Sequence, residues 1–284
     1  MKHSWMITCV LLLLFVAAQV IGLIVTERYI DVEASKEKGE LVWKALPSIA
    51  GVEIERPDVA PQYSIWYILG AILVGTMLIL LIIKWGKLLL WKLWFFFAVV
   101  LCLQIAIAAF FPAWIALLIA LGLGWFKIFK PNIYLHNISE LFLYGGLAVI
   151  FVPILNVFYA FILLVALSLY DMYAVWKSKH MIKMAKFQTK SKIFAGLLLP
   201  YALPGKGKKA KVRIAVLGGG DIGFPLIFAG TVLKVTGFTS SLYVIAGASL
   251  ALLGLLWLGQ KDKFYPAMPF LTAGCLLGYA ATLL

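Results

Sequence analysis

The sequence predicts an all-α, polytopic membrane protein with nine transmembrane helices, and three observations support this fold class. Of its 284 residues, 64% are hydrophobic and only 13% are charged, whereas soluble domains contain roughly 45–50% apolar residues. Apolar segments of about 20 residues, the length of helix that crosses a bilayer core, recur along the chain. Basic residues concentrate in alternate connections, so the net charge of +13 indicates membrane topology rather than a nucleic-acid surface. No nucleic-acid partner is expected.

The predicted spans follow one another without an internal repeat. Two apolar stretches, 93–129 and 138–176, are too long for one crossing, and they are divided at Pro112 and at Pro153, where the backbone can turn. The predicted spans are 5–25, 63–83, 93–111, 113–129, 138–155, 157–176, 212–233, 240–258 and 264–283. We interpret residues 1–284 as a single integral membrane domain.

Two long connections interrupt the spans. The first, 26–62, is acidic and contains three prolines, so it is expected to be external and only partly ordered. The second, 177–211, is strongly basic and is expected to be cytoplasmic. The N-terminus is then on the cytoplasmic side of the cell membrane and the C-terminus on its outer side. Within the second connection, the apolar island 193–199 is too short to cross the bilayer and is expected to lie in the membrane interface.

Asp171 and Asp221 are the only carboxylates predicted to lie well inside these spans. An ionised aspartate at the centre of a membrane helix costs about 2.5–3.5 kcal/mol, so such a residue indicates function. Asp171 precedes Lys177, and Asp221 follows Arg213, by distances that correspond to about 9 and 12 Å of helix from the cytoplasmic side. The two carboxylates are therefore expected to lie at one level. Glu140, near the end of its span, is instead interpreted as a residue that snorkels to the interface.

Two carboxyl groups in contact in a pocket of low dielectric hold one proton between them. Such a pair can hydrolyse a peptide bond, because the ionised member takes a proton from an attacking water while the protonated member donates to the carbonyl oxygen. The same pair can also carry protons or cations through a coupled transporter, and this alternative stays open on the residues alone. The three cysteines and three histidines have no metal-ligand spacing, so no metal and no cofactor is expected.

The glycines before Asp221 remove side chains from one turn, which allows a neighbouring helix or a substrate backbone to approach closely. Pro225 cannot donate a hydrogen bond to the carbonyl of Asp221, four residues earlier, so the helix is expected to be loosened there. Gly274 and Gly278, four residues apart, indicate close packing of the last helix.

Three short phrases, spread over the sixth, seventh and ninth predicted spans, resemble the YD, GxGD and PAL signatures of the presenilin and signal peptide peptidase family. They are Tyr170-Asp171, then Gly218-Gly219-Gly220-Asp221, then Pro266-Ala267-Met268. Each is weak alone, but three in this order are specific. Met268 stands where the family has leucine.

This resemblance implies a nine-helix, presenilin-like intramembrane aspartyl protease over the whole chain. It implies Asp171 and Asp221 as the catalytic pair, with Tyr170, Gly218, Gly219, Gly220, Pro266, Ala267 and Met268 supporting the site or contacting substrate. The implied partners are transmembrane segments of substrate proteins in the lipid bilayer. The short cytoplasmic loop is similar to that of the self-sufficient prokaryotic (archaeal) members, and the oligomeric state stays open between a monomer and a homo-oligomer.

Prepilin-type peptidases also carry a GxGD aspartate. In those enzymes a basic residue follows shortly after this aspartate, whereas Ile222, Gly223 and Phe224 follow here. They also lack a later phrase similar to Pro266-Ala267-Met268. The sequence therefore favours the presenilin-like interpretation over the prepilin-peptidase one.

Overall fold

A computed structural model describes residues 5–48, 51–178, 193–202, 212–260 and 265–283. These residues are mostly helical. The helices are α1 (Trp5–Arg28), α2 (Val32–Lys38), α3 (Pro61–Trp85), α4 (Leu88–Ala108), α5 (Ala113–Ile128), α6 (Ile133–Phe151), α7 (Val157–Met172), α8 (Gly219–Thr236), α9 (Phe238–Leu258) and α10 (Met268–Ala280). Two short antiparallel hairpins complete the fold, and their strands are β1 (Ile30–Asp31), β2 (Val42–Trp43), β3 (Gly196–Ala202) and β4 (Val212–Gly218).

Six helices of the described part are long and apolar enough to cross a membrane, namely α1, α3, α4, α6, α9 and the 21-residue helix Val157–Lys177, which consists of α7 and its continuation. Two more, α5 and α10, are apolar but shorter, with 16 and 13 residues. The 18-residue helix α8 contains Asp221 and Lys234 and does not belong to the six. The chain is therefore an integral membrane protein, and its crossing nine times stays a prediction.

Helix α8 occupies the centre of the bundle. It packs against α1, α6, α7, α9 and α10, and nearly all of its residues after Asp221 are buried. A helix that is apolar around its whole circumference can be covered on all sides by neighbours. This arrangement places Asp221 at the beginning of the most enclosed helix.

Glycines allow α9 and α10 to approach each other closely. A side chain at Gly274 would overlap the backbone carbonyl of Gly247, and one at Gly278 would overlap that of Tyr243. The spacing of Gly274 and Gly278 therefore serves helix packing within the chain, as the sequence predicts. Close packing of small residues stabilises helix pairs in lipid through van der Waals contact.

The predicted seventh span, 212–233, is wrong at its beginning. Residues 212–218 form strand β4, paired with β3 from Gly196 opposite Gly218 to Ala202 opposite Val212. Along β4, Ala215 and Leu217 are buried, whereas Ile214 and Val216 are exposed. This alternation with period two is that of a strand. The expected depth of Asp221, which assumed a helix from Arg213 onward, therefore does not apply.

The apolar island 193–199 packs inside the protein. Ile193, Phe194 and Leu197 are buried inside the protein, and β3 packs against α6. Burial within the chain removes this apolar surface from water without lipid. The position of the island relative to the membrane interface stays a prediction, and the remainder of the basic loop lies outside the described residues.

The connection 26–62 is more ordered than expected where the structure describes it. The side chain of Asp31 caps α2 by accepting a hydrogen bond from the Ala34 N–H at 3.1 Å. The Arg56 guanidinium donates to the carbonyl of Val149 at 3.1 Å and to that of Lys44 at 2.8 Å. These bonds attach the connection to the end of α6.

Candidate active site

Asp171 lies in the last turn of α7 and is buried, with 4% of its surface exposed. Its Oδ2 accepts a hydrogen bond from the N–H of Met268 at 3.1 Å, and the N–H of Ala267 also bonds to this carboxylate. Both donors stand at the beginning of α10, where backbone N–H groups have no partner within the helix. The first turn of α10 therefore fixes the orientation of the Asp171 carboxylate.

The chain changes its helical form directly after Asp171. Helix α7 ends at Met172 and continues as a π-helical segment, Tyr173–Ser178. Single π-helical turns are rare and occur often at functional sites. The sixth predicted span is thus confirmed as helical, with a wider last turn that the sequence did not indicate.

Asp221 lies in the first turn of α8 and is partly exposed. Its carboxylate folds back toward the strand, because it accepts a hydrogen bond from the backbone of Gly218. A Cβ atom at Gly218 would lie 3.1 Å from Asp221 Oδ2, so a side chain there would crowd the carboxylate. An acidic residue in the first turn also interacts favourably with the helix dipole.

The structure brings Asp171, Asp221 and the segment 266–268 together. Helix α7 packs against both α8 and α10, and the carboxylates of Asp171 and Asp221 are close enough to interact electrostatically. Pro266, Ala267 and Met268 are all buried next to them. Two acids at the ends of packed helices can hold a proton jointly.

The remaining predicted residues surround Asp221 and Asp171 in the chain. Gly219 donates its N–H to the Ala195 carbonyl at 3.0 Å, which ties the start of α8 to the residue before β3. Gly220 is exposed, and Tyr170 is half-buried. A supporting role for Tyr170 stays a prediction.

Strand β4 leads directly into this site, and one of its edges is open. Both backbone groups of Leu198 hydrogen-bond to the side chain of Asn137, at 2.8 and 3.0 Å, so they face away from β4. Leu198 stands opposite Val216, so the backbone groups of Val216 must face away from β3 in turn. Within the described residues nothing hydrogen-bonds to them.

Sequence reasoning missed a polar cluster beside the hairpin. Glu140 is fully buried and accepts hydrogen bonds from Lys127 and Tyr144, so the interpretation that it snorkels is wrong, as is the expectation that only two carboxylates lie inside the spans. Lys127, within the predicted span 113–129, is buried at the end of α5. Both residues stand near the ends of apolar segments on either side of one turn. That position along the sequence was the only signal from which their contact could have been predicted.

Metal-binding groups do not come together in the part of the chain that the structure describes. No three side chains of His, Cys, Asp or Glu are grouped there as ligands. Cys9, Cys102 and Cys275 are free thiols. The expectation that the protein needs no cofactor stays a prediction.

This fold and site define a helical membrane protein in which two aspartates of packed helices lie close enough to interact electrostatically. Residues 44–284 match the family model described as signal-peptide peptidase, presenilin aspartyl protease. The chain belongs to this family, and it is an aspartic endopeptidase of the intramembrane-cleaving class. The comparison with curated proteins finds no match.

Two solved structures of a presenilin family intramembrane aspartate protease have the same fold. The one in the C222 space group has 19% sequence identity and a TM-score of 0.64, and the match covers 98% of this chain and 99% of the other. The one in the P2 space group has 20% identity and a TM-score of 0.66, with 99% and 100% covered. These similarities support the presenilin-like arrangement of the helices.

Proposed function

We propose that Asp171 and Asp221 together hydrolyse peptide bonds within or near transmembrane segments of membrane proteins. The observation that supports this proposal is the electrostatic interaction of the two carboxylates at the junction of α7, α8 and the start of α10. Membership of an aspartyl protease family supports it. Nothing in these observations favours the alternative of a coupled transporter.

In the proposed reaction, the ionised carboxylate removes a proton from a water molecule, whose oxygen attacks the peptide carbonyl carbon. The protonated carboxylate gives its proton to the carbonyl oxygen, which produces a neutral gem-diol. When the C–N bond breaks, one hydroxyl proton returns to a carboxylate and the departing nitrogen takes a proton from the pair. The pair thus ends with the single proton with which it began.

Substrate must be extended before this chemistry can occur, because a helical peptide bond is shielded by its own turns. The open edge of β4 at Val216 offers backbone groups to which an extended segment can hydrogen-bond, as in recognition by strand addition. Gly218, Gly219 and Gly220 leave room between that edge and Asp221. Pro266, Ala267 and Met268 close the other side of the site, and Tyr170 supports it from α7.

The proposed topology has nine spans, with the N-terminus in the cytoplasm and the C-terminus outside the cell membrane. The 177–211 connection and the site would then both lie toward the cytoplasm. The partners are single-span or multi-span substrates in the lipid bilayer, and no nucleic acid is involved. A homo-oligomer stays a prediction.

The test uses purified protein and a labelled single-span peptide in lipid. We expect Asp171→Asn and Asp221→Asn each to lower kcat by at least about a thousandfold, because each removes one proton-transferring group. A transition-state mimic of aspartyl proteases should inhibit the parent protein. Thermal unfolding in detergent serves as the control, since both variants are expected to remain folded. Cleavage by Asp221→Asn at the parental rate would exclude the proposed pair.

A further inference from the structure

A buried polar cluster on α5 and α6 lies next to the hairpin that leads to Asp221. Its members are Lys127, His136, Glu140 and Tyr144, none of which exposes more than 6% of its surface. Glu140 Oε1 accepts from the Lys127 ammonium, and its Oε2 accepts from the Tyr144 hydroxyl. A buried ion pair gains little stability over apolar residues of similar volume. Stability alone therefore does not account for this pair.

The cluster holds the backbone of β3 at its first residue, Gly196. The Gly196 N–H donates to Glu140 Oε2 at 3.0 Å, and the Gly196 carbonyl lies 2.8 Å from His136 Nε2. The other ring nitrogen of His136 faces the Lys127 ammonium at 3.4 Å. Since an ammonium can only donate, this arrangement requires the proton on Nε2, which donates to Gly196.

Gly196 connects these hydrogen bonds to the start of α8, and its position requires glycine. Its φ is +139°, and a side chain there would overlap the Leu217 carbonyl, so only glycine lets the strands approach at this point. Gly196 pairs with Gly218, and the preceding residue accepts the Gly219 N–H at 3.0 Å. The register between these strands therefore decides where α8 begins, two residues before Asp221.

Tyr144 provides a second connection from the cluster to the same turn. A Cβ atom at Gly219 would lie 2.8 Å from the Tyr144 hydroxyl oxygen, and one at Gly223 would lie 3.4 Å from its ring. The tyrosine thus fills the space beside the first turn of α8. Because its hydroxyl donates to Glu140, one carboxylate holds both the strand and the aromatic ring that supports this turn.

We propose that Glu140 is a positioning residue, which accepts the Gly196 N–H and thereby fixes the β3–β4 hairpin and places Asp221 for reaction. It contacts no reacting atom. Lys127 balances its charge, and His136 holds the other backbone group of the same residue. This inference rests on the proposed function, because its effect is on the turnover of the Asp171 and Asp221 pair.

The test compares two double variants that differ in a single property. Lys127→Met with Glu140→Met removes both charges and the acceptor, whereas Lys127→Met with Glu140→Gln removes both charges but keeps an oxygen that can accept the Gly196 N–H. Methionine and glutamine have similar volumes. A small misplacement far from the chemistry can lower a rate by about a hundredfold, so we expect that loss of kcat in the first variant, with KM within about threefold of the parent. The kcat of the second variant should be at least about tenfold higher than that of the first.

Hydrogen exchange gives a readout that does not depend on cleavage. In the methionine double variant, we expect amides of 193–202 to exchange at least about tenfold faster, while those of α9 stay unchanged. In the glutamine double variant, exchange in 193–202 should stay near the parental rate. Equal kcat in the two double variants, at any level, would overturn the inference.

Lys234→Met is the matched control for the loss of a buried lysine. Lys234 stands at the far end of α8, and its ammonium donates to carbonyls just after α6, including those of Val152 at 3.2 Å and Pro153 at 3.4 Å. That end is about 20 Å from Asp221 along the helix. This variant is expected to unfold more easily but to keep the parental kcat when folded.

Should the methionine double variant fail to fold, His136→Leu tests how the cluster holds the Gly196 backbone, and it leaves the Lys127–Glu140 ion pair in place. It removes the donor to the Gly196 carbonyl, and we expect kcat to fall about tenfold at unchanged KM. Parental kcat in this folded variant would then overturn the inference. The parent protein and Asp221→Asn are measured alongside. A parent that does not cleave contradicts the proposed function, whereas a parent that cleaves equally well with every cluster variant contradicts only the role of Glu140.

Discussion

At the scale of single residues, three carboxylates inside the helical bundle differ in the groups that hydrogen-bond to them. Asp171 accepts backbone N–H groups from the start of α10, and Asp221 accepts one from Gly218. Glu140 is paired with a lysine and a tyrosine. A salt-bridged carboxylate has its oxygens occupied, whereas the two aspartates keep lone pairs free for water. Burial alone did not distinguish them.

Met268 provides a test at this scale, because its backbone N–H donates to the Asp171 carboxylate. Met268→Leu, which introduces the residue that the family carries at this position, is expected to keep kcat/KM within about threefold, since volume-conserving swaps are tolerated best. The measurement is cleavage of the single-span peptide.

Met268→Gly is the companion variant. It keeps the N–H but leaves a cavity and loosens the first turn of α10, so we expect a larger loss, of about tenfold or more. A loss from the leucine variant as large as that from the glycine variant would mean that the thioether itself is required.

At the scale of elements, the junction between β4 and α8 is the decisive feature. Strand β4, with exposed Ile214 and Val216, is followed directly by the packed helix α8. The change of backbone conformation takes place at the three glycines 218–220. The strand presents backbone hydrogen-bonding groups, which a helix would have used internally. A site that binds an extended peptide backbone therefore needs a strand at this position, and the glycines permit the change from strand to helix.

Packing between α9 and α10 gives a second test, with a matched control on α3. Gly274→Ala places a methyl group against the backbone of Gly247, and we expect it to lower the free energy of unfolding by about 1–3 kcal/mol. Gly75→Ala has nothing within 4 Å of the new methyl group, so it should be neutral or stabilising by up to about 1 kcal/mol.

Unfolding of both variants is measured in mixed micelles under the same conditions. Because α10 also carries the donors to Asp171, Gly274→Ala should lower cleavage as well. Equal stability of the two variants would show that the helices can separate at no cost, contrary to the close contact described above.

At the scale of the whole molecule, orientation in the membrane decides which side receives the products. The excess of basic residues in alternate connections predicts an N-terminus inside and a C-terminus outside. In a variant without Cys9, Cys102 and Cys275, single cysteines at exposed positions report the side of the membrane. Glu37 in α2 and Lys130 after α5 are both exposed.

We expect Glu37→Cys to react with a membrane-impermeant thiol reagent in intact cells, and Lys130→Cys to react only after the cells are opened. The reason is that the first external connection and the turn after α5 lie on opposite sides in the nine-span topology. The reverse pattern would invert the orientation, and reaction of both positions in intact cells would contradict the number of spans between them.

The sequence by itself determined that the chain is a helical membrane protein, because the lengths and hydropathy of its segments report the lipid environment directly. It also indicated Asp171 and Asp221, since a carboxylate in an apolar span is costly and rarely without purpose. The 266–268 segment was indicated by its resemblance to a family signature.

Only the tertiary structure decided the rest. The segment 212–218, which is apolar except for Arg213, fits a strand or the start of a helix equally well by composition, and pairing with β3 selected the strand. The partner of Glu140 depends on which ends of α5 and α6 meet in space, and no pattern along the chain contains that information. The physical reason is that hydropathy is a property of each segment, whereas hydrogen-bond partners are properties of the contacts between segments.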